Sequence, residues 1–357
     1  MKRRKGDIMK NISVIIPAYK PDETLLKTID DIVDAGFEDI VVIDDGGGSA
    51  FAPIFDKVRT IPQCTVLVHE VNRGKGAGLK TAFTFFKENR KDFIGAVTVD
   101  ADGQHLIKDI IATCELMAKT NHIVLGCRDF SGDNVPARSK FGNNCTIALV
   151  RLFFGMKISD TQTGLRAFPK DVIPELIGID GDRYEYETHM LFYMSKHNIP
   201  FEEVKIETVY IEENSSSHFR PIRDSLRIYS LIIKYLLSSV GSTLLDVIVY
   251  YLLKALTSST FIGAFVARAV SSLFNYTVNA KAVFGEAVNA KTLLRYYILV
   301  IIQICVSATS VFLIETVFGV TSPALSTVIK AIVDAILFFM SFRIQHKWVF
   351  GEKKKNA

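Results

Sequence analysis

Four apolar segments fill the second half of this chain, at about residues 236–256, 260–281, 293–316 and 324–346. Each holds about 20 residues, and at about 1.5 Å per residue that length crosses a hydrocarbon layer of about 30 Å. A backbone surrounded by lipid must pair its own N–H and C=O groups, so each segment is expected to be a helix. The flanking charges set an orientation. Lys281, Lys291 and Arg295 border the link between the second and third segments, and Arg343, His346, Lys347 and the lysines at 353–355 follow the fourth. The other two links, around Lys254 with 257–259 and at 319–323, carry almost no charge. By the positive-inside rule, both ends of this half, and whatever precedes it, face the cytoplasm.

The apolar half contains a repeat. Residues 275–285 (NYTVNAKAVFG) align with residues 341–351 (SFRIQHKWVFG), and each copy closes an even-numbered segment on the cytoplasmic side. Two hairpins in parallel orientation are expected. Asp246, Arg268, Glu315, Lys330 and Asp334 fall inside the segments, where ionisable groups are costly and usually face a bundle interior or a polar path. Asp246, Arg268 and Asp334 are expected to form a polar cluster with Asn275 and Asn279. The alternative is plain hydrogen bonding between helices. Glu315 and Lys330 can extend to an interface.

The acidic residues lie almost entirely before position 225, whereas residues 228–350 are mostly Leu, Ile, Val, Phe and Ala. That break separates a polar half from a membrane half. Lysine and arginine exceed aspartate and glutamate by 42 − 38 = 4. So small a balance, with no arginine-rich or aromatic-interleaved stretch, excludes nucleic acid as the expected partner. The cysteines (Cys64, Cys114, Cys127, Cys145 and Cys305) are odd in number and lack metal-type spacing, which suits reduced thiols facing the cytosol. The basic tail at 1–10 is followed by no long apolar run and does not read as a signal peptide.

In the polar half, short apolar runs alternate with loops and helix-like stretches. Residues 11–17 read as a buried strand ended by Pro17, 40–43 as a second and 64–68 as a third. A fourth, 94–99, stops abruptly at Asp100-Ala101-Asp102. Helices are expected over about 25–35 and from the 72–78 loop to about 87, and further strands over 123–128 and about 201–210. The alternation predicts an α/β fold with a mostly parallel, doubly wound sheet whose site lies at the C-terminal strand ends.

Each strand end carries chemistry. Asp100 and Asp102, one residue apart on a turn, can reach one cation, and Gln104 adds a third oxygen. Hard oxygen donors in an incomplete shell suit Mg²⁺ or Mn²⁺ that also holds a diphosphate. A surface Asp turn is the alternative for the pair alone. Tyr19 can stack on a base or pack at a strand end. Asp45 can accept from uracil or ribose, or close a turn. Arg73-Gly74-Lys75-Gly76 puts N–H groups and two cations at a helix start, which favours an anion without the spacing of a P-loop. Arg128 and Arg138 can hold phosphate. For Lys140, Arg166 and Arg223 phosphate binding and ordinary surface charge stay open together. Residues 184–187 border an acceptor site or form a plain amphipathic helix.

Seven blocks in order then define a resemblance: Pro17-Ala18-Tyr19, Asp44-Asp45-Gly46, Gly74-Lys75-Gly76-Ala77, Asp100-Ala101-Asp102-Gly103-Gln104-His105, Gly126-Cys127-Arg128, Arg138-Ser139 and Asp160-Thr161-Gln162-Thr163-Gly164-Leu165-Arg166. Residues 11–220 resemble a family 2 glycosyltransferase of the dolichyl- or polyprenyl-phosphate mannosyltransferase-like branch, with a Rossmann-like GT-A fold. The membrane half resembles the GtrA-like four-span family, linked to movement of polyprenyl-linked sugars. The resemblance implies that Pro17, Tyr19, Ile43 and Asp45 line a nucleotide pocket, with Lys75 and Ala101 beside the donor. It also implies that Asp100, Asp102 and Gln104 bind metal and donor diphosphate, and that Arg128 and Arg220 contact phosphates. Asp102, Arg128 and Arg138 become the catalytic set, and Arg128, Arg138 and Arg220 the acceptor-phosphate set. One departure is Pro21, which stands where the family usually has an acid, with Glu23 displaced.

The expected activity is inverting, metal-dependent transfer of sugar from a nucleotide sugar, UDP-linked for preference, to a polyprenyl phosphate such as undecaprenyl phosphate at the cytoplasmic membrane face, in cell-wall or cell-surface polysaccharide modification. A phosphate monoester with a second pKa of about 6 is already a nucleophile near neutral pH, so no dedicated general base is needed. A transport protein, with the polar half delivering or sensing lipid, is the alternative. Processive polymer synthesis is disfavoured because no Gln-x-x-Arg-Trp motif occurs and the only tryptophan is Trp348. The expected organisation is a tail at 1–10, a catalytic domain at 11–217, a basic amphipathic interfacial linker at 218–235, a membrane domain at 236–350 and a basic tail at 351–357, in a multi-pass plasma-membrane protein. A homo-oligomer is compatible with it.

Overall fold

A computed structural model of the chain describes residues 8–129, 137–207, 229–257 and 259–351. The chain forms two compact units. One comprises Met1–Arg151 with Met156–Ile228, the other Leu152–Gly155 with Tyr229–Ala357. The boundary expected between 217 and 236 is therefore accompanied by a four-residue excursion at 152–155.

The first unit is a seven-stranded mixed sheet flanked by helices. Its elements are β1 (Ile12–Ala18), α1 (Thr24–Asp34), β2 (Asp39–Asp44), α2 (Ala52–Arg59), β3 (Cys64–Val68), α3 (Lys75–Asn89), β4 (Gly95–Thr98), α4 (Ile107–Thr120), β5 (Ile123–Arg128), α5 (Ala137–Leu149), β6 (Arg166–Pro169), α6 (Ile173–Ile177), α7 (Glu185–His197) and β7 (Phe201–Ile206). The strand order is β3-β2-β1-β4-β6-β5-β7. Ile12, Val14, Ile15 and Ile16 of β1 are all buried, as a strand covered on both faces requires.

All pairings are parallel except those of β6, which runs against both β4 and β5. The parallel strands therefore end on one edge, where Asp44, Asp100 and Arg128 follow one another. The reversed β6 starts from that edge, so the loop before it, residues 160–165, is delivered to the same place. The sequence pattern does not announce β6: it is four residues long and begins with an arginine. Thr98 Oγ1 fixes its entry by donating to Gly164 O at 2.7 Å and accepting from Arg166 N at 3.2 Å.

The second unit contains α8 (Ser230–Thr257), α9 (Thr260–Val278), α10 (Ala290–Phe318) and α11 (Pro323–Ile344). Among the described residues three helices are long and apolar enough to cross a membrane: Ser230–Thr257, Ala290–Phe318 and the run Pro323–Val349. Their apolar side chains face outward, as Leu237, Phe312 and Val317 illustrate, which suits contact with lipid. The second expected segment is the 19-residue helix α9, and a fourth span there is carried as a proposal. Residues 230–235, expected in the linker, form the first turns of α8; residues 208–228 lie outside the described residues.

The repeat is visible in the fold. Each copy ends in a π-helical turn, Asn279–Val283 and Gln345–Val349. Asn279 Nδ2 donates to Gln345 Oε1 at 3.0 Å, and each amide also donates to the residue four positions earlier, Asn275 Oδ1 or Ser341 Oγ, at 3.0 Å. The equivalent rings Phe284 and Phe350 stack at 5.0 Å. Leu152–Gly155 joins this unit through Phe153 and Phe154, whose rings meet Phe342 edge-on.

The expected membrane cluster divides. Arg268 Nε lies 3.6 Å from Asp246 Oδ1, which also accepts from Ser271 Oγ at 2.8 Å. Asn275 and Asn279 belong to the amide network with Gln345, and Tyr296 OH donates to Asn275 Oδ1 at 2.9 Å. Asp334 instead accepts from Ser307 Oγ at 2.6 Å and pairs with Lys330 one turn away. Its separation follows from the repeat, because Asp334 occupies in the second hairpin the place of Arg268 in the first and bonds within its own hairpin.

Candidate functional site

Asp100 and Asp102 stand where β4 runs out. Asp102 Oδ1 accepts from the Gln104 backbone N–H at 3.1 Å, closing an Asx turn. Asp100 is held from three sides. Its Oδ1 lies 2.7 Å from Lys75 Nζ, its Oδ2 lies 3.4 Å from His105 Nε2, and Gly164 packs directly on its carboxyl group. Lys75 Nζ is shared with Glu187 Oε1 at 3.0 Å. This triad is the centre of the site, and its side chains are largely out of solvent.

Burial opposes charge on both aspartates, but the neighbours split them. The Lys75 ammonium and the His105 contact outweigh burial and hold the Asp100 carboxyl far below the usual carboxylate range. Burial and then the charge of Asp100 push the Asp102 carboxyl up. Lys75 is held above the ordinary lysine range, because Asp100 and Glu187 together outweigh its own burial. The site thus contains one neutralised carboxylate and one that lacks a full counter-charge. Among the described residues no three acidic, histidine or cysteine side chains converge as a closed metal site, and the two carboxylates are hard oxygen donors of the kind that serve an incompletely enclosed divalent cation. A positive charge at Asp102 would relieve the repulsion that raises it.

The loop before α3 is built from Asp45. Its carboxylate accepts from His69 Nδ1 at 2.7 Å, Asn72 Nδ2 at 3.0 Å, Arg73 N at 2.9 Å and Gly74 N at 2.8 Å. Asp45 is buried, and these bonds give it a supporting role in the loop, with its expected place in the nucleotide pocket kept as a proposal. Asp45 shapes the 72–74 loop from behind. Gly74 takes φ 102°, a backbone that favours glycine, and the chain turns there into α3. Asp45→Ala strands these buried donors and is expected to cost about 2–4 kcal/mol. The measurement is the melting temperature of the detergent-solubilised chain, which should fall.

Ile43 is fully buried and touches the α3 glycine Gly78. Its side chain packs in the core at the end of β2. Pro17 and Tyr19 are half-buried, and Lys20 lies over the Tyr19 ring at 5.3 Å. Ala101 packs partly into the core between the two acids. Arg128 is clamped by Asp160, through Nε to Oδ2 at 2.7 Å and Nη2 to Oδ1 at 3.1 Å. Such a fork fixes the guanidinium plane at the strand end. Arg166 is fully buried and donates to Thr163 O at 3.0 Å and Glu187 O at 2.8 Å. It ties the 160–165 loop to α7 and is no surface charge. The Arg138 side chain and all of Arg220 lie outside the described residues.

Glu187 and Asp160 emerge as site residues that spacing alone leaves without a role. Glu187 sits in the 184–187 stretch, whose charge pattern also suits a plain helix. Only the contact between α7 and the α3 start brings it to Lys75.

Residues 13–177 match the family described as Glycosyl transferase family 2, and residues 234–350 match the GtrA/DPMS transmembrane domain. A UDP-N-acetylglucosamine–dolichyl-phosphate N-acetylglucosaminyltransferase of Methanococcus voltae is 28% identical over 223 residues, covering 57% of this chain and 87% of its own length. The polyprenol monophosphomannose synthase of Mycolicibacterium smegmatis is 24% identical over 201 residues, covering 54% of this chain and 75% of its own. In fold, mannosyl-3-phosphoglycerate synthase from Rubrobacter xylanophilus superposes with a TM-score of 0.50 at 14% identity, over 66% of this chain and 78% of that one.

Proposed function

Because the chain is a family 2 glycosyl transferase domain joined to a GtrA/DPMS transmembrane domain, we propose that it moves a sugar, with inversion, from a nucleotide diphosphate sugar, UDP-linked for preference, to a polyprenyl phosphate such as undecaprenyl phosphate. The transfer is assigned to the cytoplasmic face of the plasma membrane and serves cell-surface polysaccharide modification. The observation that carries this reading is the half-buried Asp100–Asp102 pair at the end of β4, opposed by Lys75 and followed in the chain by helices long enough to span lipid. Relatives named for dolichyl-phosphate and polyprenol acceptors support the lipid acceptor.

Asp100 and Asp102, with Gln104 beside them, would hold Mg²⁺ or Mn²⁺, which supplies positive charge for the departing diphosphate. The protein does the rest by position. Pro17 and Tyr19 form the base side of the pocket over the loop that Asp45 organises. Arg128, held in one plane by Asp160, directs its guanidinium at phosphate. Arg138 and Arg220 complete the acceptor-phosphate set. A phosphate oxygen already carries the attacking charge, so holding it in line is the main catalytic task. We assign four spans from the four apolar segments, and both termini to the cytoplasm from the flanking charges. Membranes containing the chain, supplied with undecaprenyl phosphate and a panel of nucleotide sugars, should yield one lipid whose mass exceeds the acceptor by one sugar residue. No new lipid with any donor would refute the assignment.

A further inference from the structure

Lys75 is paired with a carboxylate of the proposed metal site. Its Nζ is 2.7 Å from Asp100 Oδ1 and 3.0 Å from Glu187 Oε1, so one ammonium serves two carboxylates. Both ends of this bridge are fixed by packing. The first turn of α3 lies against the start of α7, where Ala77 N donates to Asp182 O at 2.9 Å. A Cβ on Gly76 would come within 2.5 Å of Tyr186 Cβ. Glu187 is held in turn through its carbonyl, which accepts from the buried Arg166 guanidinium. A divalent cation held at the Asp100–Asp102 pair would stand close to the ammonium, and their Coulomb repulsion in a poorly solvated site would weaken the hold of Lys75 on Asp100. Lysine is a compact charge on a flexible stem, and Glu187 offers it a second partner within reach.

We propose that Lys75 is a resident cation that keeps Asp100 neutralised until the divalent ion arrives, and that Glu187 is the positioning residue that receives the ammonium when it leaves. The inference rests on the metal site proposed above. It makes the two residues act in opposite directions on metal affinity. Removing Lys75 vacates Asp100 Oδ1 and leaves only the longer His105 contact. Removing the charge of Glu187 removes the receiver and strengthens the hold of Lys75 on Asp100. A merely structural role would weaken metal binding in both cases.

The test is Mn²⁺ binding by the detergent-solubilised full chain without nucleotide, read by electron paramagnetic resonance, with melting temperature followed in chelator and in Mn²⁺. Lys75→Met should bind Mn²⁺ about tenfold more tightly than wild type or better, a change of about 1.4 kcal/mol. Its melting temperature should fall in chelator, where Asp100 loses its partner, and recover in Mn²⁺. Glu187→Gln, a near-isosteric change, should bind Mn²⁺ more weakly than wild type. Equal or weaker binding by Lys75→Met, while Asp102→Asn abolishes binding, would overturn the exchange and leave the metal site standing. Undiminished binding by Asp102→Asn would overturn the metal site and the exchange with it.

Discussion

Asp102→Asn is expected to lower sugar transfer by at least about 10³-fold, because it removes the carboxylate whose charge the neighbouring Lys75 and His105 offset only in part and which is therefore the one best placed to take a cation. The melting temperature separates this loss from unfolding. Asp102 has its folded pKa raised, first by burial and then by Asp100. A group raised in this way contributes stability at low pH and loses that contribution as pH rises through the folded value. Without metal, at pH above that folded value, the charged side chain therefore works against the fold, and asparagine does not. In chelator the variant should melt at or above the wild-type temperature. Divalent ion should raise the wild-type value and leave the variant unmoved. An active Asp102→Asn enzyme, or one that melts well below wild type in chelator, would contradict this account.

Gly164→Ala is expected to cost about 10²-fold in transfer, the scale of a misplaced catalytic group. An added Cβ would overlap the Asp100 carboxyl group, with Cγ at 2.8 Å and Oδ1 at 2.9 Å. The loop cannot retreat freely, because the Gly164 carbonyl accepts from Thr98 Oγ1 at 2.7 Å and the same hydroxyl accepts from Arg166 N. Asp100 must yield, and with it the contact to Lys75. Gly142→Ala is the control. Its Cβ meets nothing within 4 Å and it lies inside α5, where alanine favours the helix. Initial rates of lipid-linked sugar formation for the two variants should separate by about two orders of magnitude. Equal rates would show that Asp100 tolerates displacement.

The parts of the molecule legible in the sequence are those set by periodicity and by abrupt chemical change. The strands over 39–44 and 95–98 are apolar runs that stop at acids, the apolar run of the strand over 12–18 stops at Pro17, and a parallel sheet necessarily aligns those stops on one edge. The apolar helices of the second unit follow from length and composition, and the repeat at 275–285 and 341–351 places equivalent segments at two helix ends, where the structure adds the paired π-turns that the pattern does not show. What the pattern does not carry is pairing between distant segments. β6 is too short and too polar at its start to register as a strand, yet it delivers Gly164 to Asp100. Asp45 has the composition of a ligand contact, but only the folded chain brings His69, Asn72 and two backbone N–H groups onto it. Glu187 reaches Lys75 across more than 100 residues of sequence, so no local spacing marks it. The membrane acids share a composition and not a location: Asp334 bonds within its own hairpin, away from Asn275 and Asn279.

The most direct test is the mass of the lipid. The solubilised full chain is incubated with undecaprenyl phosphate, a divalent ion and an isotopically labelled nucleotide sugar, and the extracted lipid is weighed. Polyprenyl phosphate carrying one labelled sugar, absent in chelator and absent with Asp102→Asn, is the result expected. Labelled sugar that stays with the nucleotide, or a lipid product formed equally well by Asp102→Asn, would contradict it.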